Sequence, residues 1–205
     1  MRLYTKYVLP RFLDLAMRNQ EIARLRAEWV PRARGEVLEV GIGSGLNLAF
    51  YSEDVHHLLG VDPSRELLTL AHNRIRLAHF KIELLLQSAE DALPVADGSI
   101  DTAVVTWTLC SMTDPVQALL EVKRVLKPEG LLIFVEHGRA PDSNVAIWQD
   151  RITPLWKHVA GGCTLNRKID HLITTAGFEV AELATQYTRG PRPMTYTFKG
   201  VAVRA

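Results

Sequence analysis

A chain of 205 residues, 47% of them hydrophobic, can bury one substantial core but is short for two full domains. Its 24 basic residues are nearly matched by 23 acidic ones, and a net charge of +1 gives the whole molecule no electrostatic preference for nucleic acid. Cys110 and Cys163 lie far apart in sequence, outside any CxxC motif or Cys/His cluster, so the sequence predicts neither a metal site nor a disulfide framework.

Residues 1–34 are predicted to form a helical lid segment ahead of the main domain. Apolar residues recur there with helical spacing over two short stretches, and Pro10 suits the first turn of a helix. The segment has a charge of +5, against −4 for the rest of the chain. No apolar run is long enough to span a bilayer and no signal peptide is recognisable, so we expect a cytoplasmic protein without a transmembrane segment.

Residues 35–205 are predicted to form a single α/β domain. Strands and helices alternate from residue 35 to about 137, which is typical of right-handed crossovers in a largely parallel sheet. The predicted strands are 35–41, 56–61, 81–87, 99–109, 130–137, 178–185 and 195–205, and the predicted helices are 65–79, 115–126, 143–159 and 165–176.

Two details refine this fold. Pro154 should kink or end the helix predicted over 143–159. The last two strands are joined by TRGPRP, which leaves no room for a helix, so they should pair as an antiparallel hairpin with one strand inserted near a sheet edge. The expected fold is a Rossmann-like, seven-stranded mixed sheet with helices on both faces.

The stretch VLEVGIGSGLNLAF, residues 37–50, predicts a glycine turn between a buried strand and a helix, where a ligand can approach bare backbone. A phosphate-binding Walker loop would need Lys and Ser or Thr where Leu46 and Asn47 stand. A dinucleotide site would need G-x-G-x-x-G, whereas the pattern is G-x-G-x-G. Both phosphate-binding interpretations are therefore weakened.

S-adenosylmethionine, which has no phosphate, is the third interpretation of these glycines. Glu39 precedes them, and Asp62 ends the second strand, where a carboxylate can accept hydrogen bonds from both ribose hydroxyls. Dinucleotide-binding folds have an acidic residue at the same spacing, so Asp62 alone does not distinguish S-adenosylmethionine from a dinucleotide. Further along, Gln87 to Glu90 close the third strand, where a polar side chain can meet an adenine amino group.

Four motifs together resemble the class I S-adenosylmethionine-dependent methyltransferases over residues 35–137: EVGIGSG, VDPS, QSAEDALPVADGSIDTAVVTWTL and LLEVKRVLKPEGLLIFVEH. More narrowly, TLCSM, VEHG and the W-x₇-W-x₅-GCTLNR stretch resemble the methyltransferase-like 7 group, the thiol S-methyltransferases, over nearly the whole chain. Mammalian members of that group begin with a hydrophobic membrane anchor, which we expect to be missing here.

We expect S-adenosyl-L-methionine as cofactor and S-adenosyl-L-homocysteine as product. The predicted cofactor contacts are Glu39, Gly41, Gly43, Gly45, Asp62, Pro63, Ala89, Glu90 and Thr106. Trp107, Trp148 and Trp156 are predicted to line the acceptor pocket. His137 is a candidate general base or thiolate partner, with a purely structural histidine as the alternative. Both cysteines are predicted to be structural, with pocket lining as the alternative for Cys163, and no metal ligand is predicted.

The resemblance favours a small-molecule thiol as methyl acceptor. A thiol with a pKa of about 8.5 is already partly ionised at neutral pH, so the lack of a conspicuous base motif is compatible with it. One alternative is a phospholipid amine or quinone-type ring at a membrane surface, because the basic N-terminal segment could make weak contact with anionic lipid. Another is a non-catalytic cofactor-binding module. The sequence does not indicate an oligomeric state.

Overall fold

Seven strands form one mixed sheet in the order β3-β2-β1-β4-β5-β7-β6 in the computed structural model, which describes residues 4–204. The strand β7 lies antiparallel between β5 and β6, and the remaining neighbours are parallel. The predicted mixed sheet and C-terminal hairpin are thereby confirmed. The strands are β1 (Gly35–Val40), β2 (Val55–Val61), β3 (Lys81–Leu85), β4 (Ile100–Thr106), β5 (Leu126–His137), β6 (Phe178–Tyr187) and β7 (Tyr196–Arg204).

Helices cover both faces of this sheet. They are α1 (Leu9–Ala16), α2 (Gln20–Trp29), α3 (Arg65–Ile75), α4 (Pro115–Val125), α5 (Ser143–Val159), α6 (Ile169–Thr175) and the single turn α7 (Arg192–Thr195). Successive residues of β5 alternate between the faces: Phe134 joins a core with α4 and α6, whereas Ile133 joins a core with α2 and α3. No helix within residues 4–204 combines the length and apolarity that crossing a bilayer requires.

The N-terminal segment divides into two parts with different roles. A π-helical turn, Tyr4–Val8, leads into α1, which begins with Pro10 in its first turn as predicted. The helix α2 belongs to the core, because Trp29 is 1% exposed and packs with β1, β2 and β5 residues. The helix α2 is therefore part of the domain core, and a lid role for residues 1–34 stays a prediction.

Residues 41–50 form consecutive turns instead of the helix expected after β1. Gly41, Gly43 and Gly45 all have positive φ, at 72°, 55° and 77°, which is incompatible with a right-handed helix. Hydrogen bonds here span three residues, as from the Gly45 N–H to the Ile42 carbonyl at 2.9 Å. The glycines thus shape the connection between β1 and β2.

Three smaller expectations also need correction. The helix α5 runs past Pro154 to Val159, held beyond the proline by a hydrogen bond from the Ala160 N–H to the Trp156 carbonyl. The connection between β6 and β7 does contain a helical turn, α7. The strand β4 ends at Thr106, three residues before the predicted end at 109, and Cys110 lies in the turn that follows.

Candidate functional site

The carboxyl ends of β1, β2, β4 and β5 open on one cavity of about 510 Å³, where parallel sheets characteristically bind ligands. One wall is the apolar side of α1, with Leu9, Phe12, Leu13 and Met17. Most of the predicted site residues line it, namely Glu39, Gly41, Gly43, Asp62, Pro63, Ala89, Glu90, Thr106, Trp107, His137 and Trp156. Gly45 and Trp148 do not.

The three motif glycines serve different purposes. A Cβ on Gly41 would come within 2.2 Å of the Thr108 side chain, and one on Gly45 within 2.9 Å of Leu48. Those two positions are therefore needed for the packing of the protein itself. A Cβ on Gly43 would meet nothing closer than 3.8 Å and would enter the cavity. Gly43 is the motif glycine at which an added side chain would take space from a ligand.

Asp62 is positioned by the backbone on both sides of the cavity. Its carboxylate accepts hydrogen bonds from the Gly43 N–H at 3.0 Å and the Ser64 N–H at 2.8 Å, while its exposed fraction is only 6%. Burial raises the pKa of this carboxyl group, although the two backbone bonds oppose the rise. Each carboxylate oxygen retains a lone pair, so Asp62 can still accept from ligand hydroxyls.

Glu39, at the end of β1, is almost completely buried and sits in a hydrogen-bond network. The Asn47 amide donates to one carboxylate oxygen and the Tyr51 hydroxyl to the other, each at 2.9 Å. The Asn47 amide also donates to the Thr106 hydroxyl at 2.9 Å. Burial raises the pKa of Glu39 to about 7, in spite of these donors and the nearby Arg26 guanidinium. Glu39 can therefore change its charge near neutral pH.

Arg26 was missed in the sequence, because a basic residue on a surface-like helix gives no sign that it will be buried. Its Nε donates to the Asn47 side-chain oxygen at 2.8 Å, and its guanidinium lies 4.9 Å from the centre of the Trp107 ring. Trp107 itself has φ of 50°, a conformation that costs energy for a residue with a side chain. The network thus holds a strained aromatic residue at the cavity wall.

Asp14 ties α1 to the glycine loop and was also missed. Its carboxylate accepts from the Ser44 hydroxyl at 2.6 Å and pairs with Arg74 at 2.9 Å and with Arg18. Although burial alone would raise the pKa of Asp14, these partners hold it below its usual value. The helix α1 is therefore anchored at its centre to the glycine loop.

Glu90 lines the cavity, but its carboxylate is directed to the backbone. It accepts from the Thr113 N–H at 3.2 Å and the Asp114 N–H at 2.8 Å, which fixes the loop before α4. Its neighbour Ala89 is buried, at 2% exposed, and offers only backbone polar groups. Glu90 therefore stabilises the loop before α4, in addition to any contact that it makes with a ligand.

A second group of side chains, which we call the sulfur end, lies in the same cavity and comprises Cys110, His137, Trp156 and Cys163. The His137 Nε2 lies 3.1 Å from the Cys163 Sγ, and the Trp156 indole N–H donates to the same sulfur at 3.3 Å. The ligand atoms of Cys110, His137 and Cys163 all lie within 4.8 Å of one another. The two cysteines that sequence reasoning treated as unconnected are neighbours in the fold.

Electrostatics at the sulfur end favour an ionised sulfur. A hydrogen bond from Cys110, opposed by burial and reinforced by His137 and Trp156, holds the pKa of the Cys163 thiol well below its usual range. Burial lowers the pKa of His137, but the Cys163 sulfur more than offsets this and leaves it above the ordinary value. The pair therefore resembles a thiolate beside an imidazolium.

Trp148 is placed outside this site, contrary to the prediction that it lines the acceptor pocket. Its side chain is 54% exposed on α5 and lies 5.7 Å from the Arg151 guanidinium. Trp156, two turns further along the same helix, does reach the cavity. Only one of the two indoles therefore reaches the cavity, which the repeated tryptophans in the sequence did not reveal.

Comparisons with known proteins show the family to which this chain is related. The family described as Methyltransferase domain matches residues 38–134. Thiol S-methyltransferase TMT1A of Homo sapiens is 32% identical over 90% of this chain and 78% of its own length. Thiol S-methyltransferase TMT1B of Rattus norvegicus is 38% identical over 73% of this chain, which spans 62% of that relative.

Structural similarity extends the comparison. A chain from the complex between the Haloferax volcanii Trm112 methyltransferase activator and a methyltransferase superposes with a TM-score of 0.70, covering 94% of this chain and 93% of that one. At 21% identity, this likeness shows the fold alone. The sequence relationship to TMT1A goes further, since it spans most of both chains. The chain belongs to the thiol S-methyltransferase family of class I S-adenosylmethionine-dependent methyltransferases.

Proposed function

We propose that this protein transfers the methyl group of S-adenosylmethionine to the sulfur of a small, apolar thiol. The observation that carries the proposal is a single cavity with two chemically different ends. One end presents Gly43 and Asp62, and the other presents Cys163 with its imidazole and indole neighbours. The similarity to thiol S-methyltransferases supports the choice of acceptor.

The chemistry of S-adenosylmethionine suits the end of the cavity with Gly43 and Asp62, which we call the cofactor end. Asp62 would accept from the ribose hydroxyls, and the open space at Gly43 would admit the ligand close to the backbone. Ala89 would contribute to the adenine side, and Glu39 faces the cationic part of the ligand in its ionised state. When bound, the cofactor supplies a methyl group on a positively charged sulfur.

The sulfur end suits a thiol better than an acceptor that is strongly hydrated. Aromatic and sulfur-containing side chains form its walls, with Trp107, Met112, Trp156 and Met194 among the lining residues. Such walls bind a poorly hydrated group and leave a charged amine without compensating partners. The apolar side of α1 continues this surface towards the mouth of the cavity.

Methyl transfer of this kind requires position and exclusion of water more than a covalent intermediate. The helix α1, anchored through Asp14, lines the cavity and would keep solvent from the reacting groups. Trp107, with the Arg26 guanidinium 4.9 Å from its ring centre, would help to position the acceptor. The His137 imidazole and the Trp156 indole N–H, both beside the Cys163 sulfur, could also donate hydrogen bonds that stabilise an acceptor in its thiolate form.

The proposal is tested by incubating the protein with S-adenosylmethionine and a small apolar thiol. We expect S-adenosylhomocysteine and the methyl thioether to appear in equal amounts, and we expect an amine of the same shape to remain unmodified. The matched control is the amine or alcohol analogue with the same hydrocarbon group. Equal turnover of the thiol and the amine would refute the assignment.

A membrane-embedded acceptor is a second candidate, favoured by one specific observation. Large apolar side chains are exposed on the turn Tyr4–Val8, on α1 and on the C-terminal half of α5, and the turn meets α5 where the Tyr4 hydroxyl donates to the Val159 carbonyl at 2.8 Å. These side chains are Tyr7, Val8, Phe12, Leu15, Leu155 and Val159. Sedimentation with anionic vesicles tests this candidate; protein that stays in the supernatant would exclude it.

A further inference from the structure

We propose that Cys110, His137 and Cys163 bind one zinc ion, whose fourth position takes the acceptor thiol and holds it as a thiolate. The inference rests on the thiol S-methyltransferase function proposed above and adds a metal site to it. Sequence spacing alone predicted no metal, because the three ligands come from three distant segments. The fold brings them together at one end of the cavity.

Distances between the ligand atoms suit a tetrahedral metal. All three lie within 4.8 Å of one another, and the His137 Nε2 is 3.1 Å from the Cys163 Sγ. With Zn–S near 2.3 Å and Zn–N near 2.0–2.1 Å, ligand atoms around tetrahedral zinc are roughly 3.3–3.8 Å apart. The observed separations, 3.1 Å for one pair and at most 4.8 Å for the others, therefore lie close to those of a tetrahedral site.

Backbone contacts hold the three ligands in place before any metal binds. The Cys110 carbonyl accepts from both the N–H and the hydroxyl of Thr164, each at 2.9 Å, which ties the two cysteine loops together. The turn carrying Cys110 is fixed by Glu136, whose carboxylate accepts from the Leu109 N–H at 3.0 Å. His137 follows directly in β5. A preformed set of ligands is what a metal site requires.

The chemistry of the ligands points to zinc and to an open position. Two thiolates and an imidazole are soft or borderline ligands, a combination that favours zinc over magnesium or calcium. Catalytic zinc sites use three protein ligands and leave the fourth position for water or substrate. The indole N–H of Trp156 donates to the Cys163 sulfur, as outer hydrogen bonds do for metal ligands.

The reaction balances without an oxidant or reductant. The acceptor S–H bond breaks, the proton passes to solvent, and the sulfur binds the metal as a thiolate. A lone pair of this sulfur then forms a bond to the methyl carbon while the bond from that carbon to the sulfonium breaks. Both products are neutral, and the thioether, a weaker ligand than a thiolate, leaves the metal.

The experiment titrates Zn²⁺ and, separately, Co²⁺ into full-length protein that has been treated with a chelator and kept reduced. We expect binding of about one ion per chain and, with cobalt, a thiolate-to-metal charge-transfer band with the ligand-field spectrum of a tetrahedral site. Addition of a small apolar thiol should change the ligand-field bands. The variants Cys163→Ser and His137→Ala should lose the charge-transfer band or at least half of its intensity.

The matched control is His158→Ala, which removes an exposed histidine of α5 and should bind cobalt as the wild type does. Cofactor affinity, carried by the other end of the cavity, reports whether each variant is folded, and Cys110→Ser provides a further variant. A wild-type protein without the charge-transfer band, or a Cys163→Ser protein that keeps it, would overturn the metal site.

Two further outcomes separate this inference from the proposed function. Full thiol turnover by metal-free protein would overturn the role of zinc and leave the methyltransferase assignment in place. Tight zinc binding with no methylation of any thiol would overturn the thiol acceptor, together with the thiolate-holding role, while leaving the metal site established. Metal content and product formation are therefore measured on the same preparation.

Discussion

The two ends of the cavity differ in how they are built. At the cofactor end, Asp62 is held by backbone N–H groups and Glu39 by an amide and a phenol. At the sulfur end, side chains contact one another directly, since His137 and Trp156 both meet the Cys163 sulfur. The first arrangement recognises a polar ligand, and the second stabilises a charged sulfur. Variants at one end should therefore leave the function of the other intact.

The largest expected effect concerns Gly43→Ala at the cofactor end. The new Cβ would enter the cavity, so we expect cofactor affinity to fall by about 100-fold or more, measured by isothermal titration calorimetry. The matched control is Gly98→Ala, because Gly98 has a similar φ of 60° and no atom within 4 Å of an added Cβ. Both variants carry the same backbone strain, and only the first should lose binding.

If Gly43→Ala binds the cofactor like Gly98→Ala, the ligand does not pass this point and the assignment of the cofactor end is wrong. If both lose affinity equally, backbone strain and not occlusion is responsible. Thermal unfolding of the two variants measures that strain, which should cost each about 1 kcal/mol.

The next effect is expected for Asp62→Ala, which removes the acceptor of the proposed ribose contact. We expect a loss of about 10- to 100-fold in cofactor affinity, the value of charge-assisted hydrogen bonds. Asp91→Ala is the control, since the Asp91 side chain is exposed beyond β3 and does not line the cavity. Wild-type affinity in Asp62→Ala would contradict the ribose assignment.

Trp156→Phe examines the sulfur end alone. It keeps an aromatic ring but removes the N–H that donates to the Cys163 sulfur at 3.3 Å. Thiol turnover should fall by about 3- to 10-fold, as expected for a hydrogen bond of about 1 kcal/mol, with cofactor affinity unchanged. Trp148→Phe, on the exposed face of α5, should alter neither quantity. A parallel loss of cofactor affinity in Trp156→Phe would show that the ends are not independent.

The smallest effect is a pH dependence caused by Glu39. Its pKa of about 7 in the folded protein lies above the value of 4.5 that it has when unfolded, so ionisation is costly in the fold. Stability from this group is fully present below the unfolded pKa and is lost as the pH rises through about 7. In the ligand-free protein, Glu39 should therefore lower the free energy of unfolding by about 1 kcal/mol between pH 6 and pH 8.

Urea unfolding of Glu39→Gln at the two pH values measures this contribution, because glutamine keeps the size and a hydrogen-bonding oxygen without the charge. The variant should lose less stability than the wild type over this interval. Glu129→Gln, at an exposed position, is the control and should follow the wild type. An unchanged pH dependence in Glu39→Gln would mean that Glu39 keeps an ordinary pKa.

The fold, and the presence of Gly43 and Asp62 at the edge of the sheet where the cavity opens, could be predicted from the sequence because their signals are local. Continuous apolar runs mark buried strands; Asp62 directly follows β2, and Gly43 lies three residues after the end of β1. Cofactor binding by these residues stays a prediction. The residues of the sulfur end have no such local signal in the sequence. Cys110, His137 and Cys163 become neighbours only through the β4–β5 pairing and the return of α5, and single-sequence spacing carries no information on that.

The orientations of individual side chains also could not be predicted from the sequence. Trp148 and Trp156 are equally hydrophobic, yet one faces solvent and the other the cavity. Arg26 and Asp14 look like surface charges of an amphipathic helix, but both are buried because they find partners across the glycine loop. Burial of a charge depends on tertiary partners, which periodicity does not reveal.

The most direct test of the central claim is a competition between acceptors. The protein is supplied with S-adenosylmethionine carrying an isotopically labelled methyl group and an equimolar mixture of apolar thiols, amines, phenols and phospholipids, and the products are identified by mass spectrometry. The two-ended cavity predicts that the label appears in thioethers and is absent from the other products. Inert thiols beside a labelled amine, phenol or phospholipid would contradict the account.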